Sequence, residues 1–187
     1  MGNSLRKILP NLLTVLRVLA IPAVVSSFFA SFENAQYVTL CIFLVACITD
    51  FLDGFLARMW KVQSRFGRLF DPVADKLIVL STMVMLVHVG KMSGSAVVFI
   101  VIILCREVLV SGMREFLVAA GISLPVSDVG KMKTVVQAIA TCFLILRDEI
   151  ASIIGEALLS VAALLSTYSM YLYIRTAMLK LKNSNLP

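Results

Sequence analysis

The chain has 187 residues, 60% of them apolar and only 15% charged. A soluble domain is nearer ~45–50% apolar and ~25% charged, and a mean hydropathy of +0.97 is too high for a globule that must face water. Disordered, collagenous, coiled-coil and disulfide-scaffold chains are excluded on the same grounds. An all-α integral membrane protein remains. The formal charge of +6, from 17 Lys and Arg against 11 Asp and Glu, then reads as the cationic flanks of membrane spans rather than as a nucleic-acid surface.

About 20 mostly apolar residues cross a bilayer as a helix. In chain order, Leu12–Phe32 forms the first span, with Arg17 snorkelling near an interface and Pro22 free to kink it. This stretch is too long for the apolar core of a signal peptide, so it is expected to stay in the mature protein. Tyr37–Leu56 is the second span. Leu77–Val89 is clean but short, and needs the turns from Leu69 onward to complete the third. Ala96–Ala120 is interrupted by Arg106 and Glu107. Thr134–Leu146 follows the basic Lys131 and Lys133, and Ile150–Ile174 carries the single Glu156.

Six spans result, forming one domain over residues 1–187. Arg6, Lys7, Arg58, Lys61, Arg65, Arg68, Lys131, Lys133, Arg175, Lys180 and Lys182 fall on one side, with Lys91 and Arg147 on the other. The excess of positive charge marks the cytoplasmic side, so both termini are expected in the cytoplasm. Cys41, Cys47, Cys105 and Cys142 lie in apolar runs without C-x-x-C spacing, and read as small buried hydrophobes. His88, at the outer end of the third span, is too far from the aspartates to serve them. Tyr168, Tyr171 and Tyr173 fit an interfacial aromatic belt.

Ionisable groups inside spans are costly, and each marks a functional hypothesis. Asp50 and Asp53 are three apart near the end of the second span; Asp71 and Asp75 are four apart at the start of the third. Each pair shares one helix face. Only a short basic loop separates the two helices, so an antiparallel hairpin would gather four carboxylates at one depth. Such a cluster repels itself strongly unless protons or cations neutralise it. All-oxygen ligation suits Mg²⁺, Mn²⁺ or Ca²⁺, and four aspartates suffice for two metals. Helix capping and pairing with Arg58, Arg65, Arg68 or Lys76 is the alternative. Gly54, Ala57 and Gly67 keep the surroundings low enough for a flat ligand or a close helix.

The run Asp50-x-x-Asp53-Gly54-x-x-Ala57-Arg58, eight residues, Gly67-x-x-x-Asp71-x-x-x-Asp75 resembles the signature of the CDP-alcohol phosphatidyltransferases, with every fixed position filled. The resemblance implies a six-helix membrane enzyme, commonly a homodimer, that displaces CMP from a CDP-linked lipid with an alcohol. It implies that Asp50, Asp53, Asp71 and Asp75 hold two divalent metals, Mg²⁺ or Mn²⁺. Asp75 would be the general base. Asp50, Asp53, Gly54, Ala57, Arg58, Gly67 and Asp71 would line the site for the CDP group.

The acceptor varies within the family. Arg106 and Arg114 lie eight apart on roughly one face, followed by Lys131 and Lys133. Buried arginines without matching acids point to an anionic ligand such as a phosphate; pairing with Glu107, Glu115 or Asp128 is the competing account. The stretches around Pro10–Arg17, Arg106–Glu115 and Gly130–Thr134 resemble the bacterial branch that uses sn-glycerol 3-phosphate. That branch implies CDP-diacylglycerol as donor and the bacterial cytoplasmic membrane as location, with the active site facing the cytoplasm. Asn11, Thr14 and Arg17, three apart along one side of the first span, are candidates to face substrate. Other acceptors, such as phosphatidylglycerol or inositol phosphate, would leave the aspartate site unchanged. Outside enzymology, a cation-coupled transporter is the alternative, but it calls for acids deeper in the spans and an inverted repeat.

Overall fold

The computed structural model describes the backbone of residues 2–60, 65–90, 92, 94–122, 124, 127–146 and 148–183. Side chains are described for 15–50, 52, 74, 76–90, 92, 94–122, 124, 127–146 and 148–182. Among the described residues the chain is all helical: α1 (Gly2–Ser27), α2 (Ala35–Trp60), α3 (Arg65–His88), α4 (Gly94–Ala119), α5 (Asp128–Leu146) and α6 (Glu149–Asn183). Six helices therefore stand where six spans are expected. Three of them are long and apolar enough to cross a bilayer: Gly94–Ala119, Asp128–Leu146 and Glu149–Lys182. Shorter apolar stretches, Val15–Ser27, Ala35–Asp50 and Lys76–His88, belong to α1, α2 and α3.

The helix ends follow local chemistry. α1 stops at Ser27, short of the expected Phe32. The amides of Phe28, Phe29 and Ala30 each donate to the carbonyl three residues back, at 3.1–3.3 Å, tightening the last turn until the helix closes. α4 is closed off by Gly121, whose φ is +76° and which lies two residues past the last helical residue, Ala119. The Gly121 amide donates to the Val118 carbonyl at 3.0 Å and the Ile122 amide to that of Leu117 at 2.8 Å, a Schellman arrangement that a left-handed glycine permits. α5 begins six residues before the expected Thr134, because the Ser127 hydroxyl accepts the Gly130 amide at 3.2 Å and caps the helix there. Lys131 and Lys133 thus lie within α5 rather than before it. Asp148 does the same for α6, accepting the Ala151 amide at 3.4 Å.

The helices form two compact units, Met1–Lys91 with Thr141–Ser152, and Met92–Ala140 with Ile153–Pro187. In the first unit α1 packs on both α2 and α3. The buried stripe of α2 is Ala35, Thr39, Phe43 and Ala46, spaced four, four and three residues, so the next position on that stripe is Asp50. Among the described residues, Arg17 and Val24 are the buried positions of α1, with Phe28 buried just past its end, and Ala74, Ile78, Thr82, Met85 and Leu86 are among those of α3. In the second unit α4 buries Ala96, Ile100, Ile103, Glu107, Val110 and Leu117.

Outward faces reverse the soluble pattern. Leu164, Ile153, Val108 and Phe116 are exposed, whereas Ala140, Ala162, Ala163, Thr141, Ser166 and Ser169 are buried. Small and hydroxyl-bearing residues let helices approach and bond where lipid already solvates the large apolar side chains. The four cysteines are free thiols. Cys41 and Cys105 sit on exposed helix faces and Cys47 and Cys142 are only partly buried, so the unpaired character expected of the four holds and the burial does not. His88 stacks against Phe29 at 5.6 Å between ring centroids, a packing role away from the aspartates.

Candidate functional site

Positions 50 and 53 fall within the single helix α2, and positions 71 and 75 within α3, so the spacings of three and four are true helical spacings. The side chains of Asp53, Gly54, Ala57, Arg58, Gly67, Asp71 and Asp75 lie outside the described residues, as do those of Asn11 and Thr14. Among the described residues no group of three or more His, Cys, Asp and Glu could hold a metal; of the four signature carboxylates only Asp50 is described.

Asp50 is held in a specific way. Its Oδ1 lies 3.0 Å from Arg17 Nη1, across the α1–α2 interface. The Arg17 side chain is 0% exposed while that of Asp50 is 42% exposed. The acid is therefore partly exposed while its cationic partner is sealed in. Seventeen residues into the chain, that cation faces inward on Asp50 instead of snorkelling to an interface. At the other end of the same helix pair, the hydroxyls of Ser27 and Thr39 are 2.8 Å apart. Ten residues of α1 and eleven of α2 separate these two contacts, about 15 Å of helix on each side. The two polar contacts together fix the axial register of the pair. An apolar cavity of about 350 Å³ lies along this helix pair, lined by Leu16, Arg17, Ala20, Cys41, Ile42, Val45, Ala46 and Thr49.

The donor set fits a hard divalent cation in chemistry. It consists of carboxylates at helical spacing on two helices, and the one described carboxylate is partly exposed beyond its contact with Arg17.

The second cluster lies in the other unit. Glu107, buried on α4, accepts from Arg106 Nη1 at 3.0 Å and from Lys133 Nζ on α5. Arg106 Nη2 also donates to Ser169 Oγ on α6 at 2.9 Å. The exposures of 11% for Arg106 and Glu107 and 3% for Lys133 make this a nearly dry network joining three helices. Of the four cations expected to hold an acceptor phosphate, Arg106 and Lys133 thus meet on Glu107. Lys131 is exposed, and pairs with exposed Asp128 at 2.8 Å. Arg114 is in none of these pairs, and its Nε, like that of Arg106, is buried with no hydrogen-bond partner among the described residues. The pairing account therefore describes three of the four, and Arg114 keeps donor capacity for a ligand.

Sequence reasoning missed two members of these clusters. Ser169 is one polar residue among many apolar ones, and its three-residue spacing from Ser166 was the available signal. Arg17 as the partner of Asp50 was readable only as the one cation in the first span facing an acid in the second.

Comparison with known proteins bears on the whole chain. A family model described as CDP-alcohol phosphatidyltransferase matches residues 7–173. A Rickettsia felis protein named CDP-diacylglycerol–glycerol-3-phosphate 3-phosphatidyltransferase is 38% identical over 174 residues, covering 90% of this chain and 94% of its own length. Proteins of the same name from Salmonella choleraesuis and Cereibacter sphaeroides are each 41% identical. The former match covers 90% of this chain and 94% of the relative, the latter 80% and 68%. With its complete aspartate signature divided between α2 and α3, this chain belongs to the CDP-alcohol phosphatidyltransferase family.

Proposed function

We propose that the protein transfers the phosphatidyl group of CDP-diacylglycerol to sn-glycerol 3-phosphate, giving phosphatidylglycerophosphate and CMP. The observation that carries this reading is the near full-length similarity to relatives bearing that activity in their names, on a chain whose signature positions 50, 53, 71 and 75 lie on two helices as the chemistry needs.

In this reading Asp50, Asp53, Asp71 and Asp75 hold two divalent ions, Mg²⁺ or Mn²⁺. When bound, such ions neutralise the diphosphate and polarise the attacked phosphorus. Asp75 accepts the proton of the acceptor hydroxyl as its oxygen bonds to phosphorus and the bond to CMP breaks. Gly54, Ala57, Arg58 and Gly67 give the CDP group room and a counter-charge. Arg114 binds the acceptor phosphate, supported by its unpartnered buried Nε. Asn11 and Thr14 face substrate from the first span. Residues 1–187 act as one domain of six spans with both termini and the active site on the cytoplasmic side of a bacterial inner membrane, working as a homodimer.

The test is CMP release from CDP-diacylglycerol by detergent-purified protein with Mg²⁺ or Mn²⁺, offering glycerol 3-phosphate, inositol phosphate and phosphatidylglycerol in parallel. Release with glycerol 3-phosphate alone is expected. Release with another acceptor overturns the acceptor assignment, and no release from folded protein overturns the reaction. Asp75→Asn keeps the fold and abolishes turnover, because an amide cannot take the proton; residual turnover near the parent's would remove Asp75 as base.

A further inference from the structure

We infer that Arg17 is a positioning residue for Asp50: it pairs with the carboxylate from the buried side and so holds the partly exposed side chain in place for a divalent cation. The inference rests on Asp50 being a metal ligand.

Three observations meet here. The Arg17 side chain is fully buried, and its Nη1 lies 3.0 Å from Asp50 Oδ1. The Asp50 side chain remains 42% exposed, so the carboxylate is paired from the buried side while part of it stays accessible. The Ser27–Thr39 contact at 2.8 Å is compatible with the same helix register. A cation sealed among apolar side chains is expensive, and it sits opposite the one signature acid that α1 reaches among the described residues. A planar guanidinium fixes carboxylate geometry in a way a lysine does not. Outer-shell partners of this kind orient metal ligands, and their loss typically costs about 10–100-fold in metal affinity.

A competing effect has the opposite sign. A permanent cation beside the site repels the metal, so deleting it would tighten binding if repulsion outweighed orientation. The Arg17 side chain is fully buried while that of Asp50 is partly exposed, so an ion arriving from outside would reach the carboxylate by a route Arg17 does not occupy. Orientation should therefore win, and the sign of the change decides between the two.

The experiment measures Mn²⁺ binding to full-length, detergent-purified protein by electron paramagnetic resonance, without substrate. Arg17→Met removes the guanidinium while keeping an unbranched apolar side chain; Asp50→Asn reports on the ligand itself. The expected result is a Kd for Mn²⁺ raised about 10–100-fold in Arg17→Met, with the Mn²⁺ concentration for half-maximal turnover rising in parallel. The KM for glycerol 3-phosphate at saturating Mn²⁺ should change far less. Should Arg17→Met fail to fold, Arg17→Lys decides: it keeps the charge and the repulsion but loses the fork, and must still bind Mn²⁺ more weakly than the parent.

If Asp50→Asn weakens binding and neither Arg17 variant does, or if Arg17→Met binds more tightly, the positioning role is overturned and the metal site stands. If the parent protein binds no Mn²⁺, or Asp50→Asn binds as the parent does, the metal reading of Asp50 fails and the inference fails with it.

Discussion

Glu107 is the residue on which the second unit depends most, and replacing it should show this directly. Its carboxylate takes hydrogen bonds from Arg106 and Lys133 while only 11% exposed. Glu107→Gln keeps the shape and removes the charge, leaving two nearly buried cations without their anion. Breaking one buried ion pair by removing a single partner typically costs ~3–5 kcal/mol. Arg106 still has Ser169 at 2.9 Å, and the glutamine oxygen can still accept one bond, so about 3 kcal/mol is the appropriate end of that range. For a chain of this size it corresponds to a fall of roughly 6–12 °C in Tm, at ~2–4 °C per kcal/mol.

Equilibrium unfolding by SDS in mixed micelles would measure the free energy, with Lys133→Met and the double variant Glu107→Gln/Lys133→Met completing a cycle. Removing both charges should restore part of the loss, giving a coupling of about 1–3 kcal/mol. A loss below about 0.5 kcal/mol for Glu107→Gln, or strict additivity in the cycle, would refute the buried network as the tie between α4 and α5.

The remaining predictions concern single contacts. Arg114→Ala should raise the KM for glycerol 3-phosphate far more than that for CDP-diacylglycerol; steady-state kinetics with each substrate varied in turn would check it, and equal effects would count against a phosphate contact. Gly121 has φ +76° and open space where a Cβ would point, so Gly121→Ala is penalised by backbone strain alone, about 1–2 kcal/mol. Gly94, equally open but without a positive φ, should tolerate alanine with Tm unchanged or slightly raised. Similar melting shifts for the two glycine variants would remove the left-handed conformation as the cause.

Much of the architecture was legible from residue types. The apolar fraction requires lipid, and the order of the six helices seen among the described residues follows from hydrophobic length, although α1 starts ten residues before the expected Leu12 and α6 runs nine past the expected Ile174. The spacing of Asp50, Asp53, Asp71 and Asp75 alone puts two pairs on two helix faces. Helix ends were less legible: hydropathy does not see the Ser127 cap that starts α5 early or the tightened turn that stops α1 at Ser27. The exposure of two cysteines escapes the sequence for a related reason. In lipid the outer face is as apolar as the inner one, so an apolar run does not say which way Cys41 or Cys105 points.

Partners belong to the tertiary structure. A helical period tells which residues share a face, but neither which neighbour that face meets nor how far one helix is slid along the other. Arg17 had a snorkelling account and a substrate account equally open from the sequence. Packing α1 on α2, in a register compatible with the Ser27–Thr39 contact, put it on Asp50. Likewise the sequence left Arg106, Arg114, Lys131 and Lys133 open between a phosphate pocket and internal pairing, and it is the packing of α4 on α5 that brings Arg106 and Lys133 to Glu107. Residue types and their spacing settle which costly groups enter the membrane helices. The packing of those helices settles which charge neutralises which, because an ion pair depends on distances of a few ångströms that residue spacing along one chain does not contain.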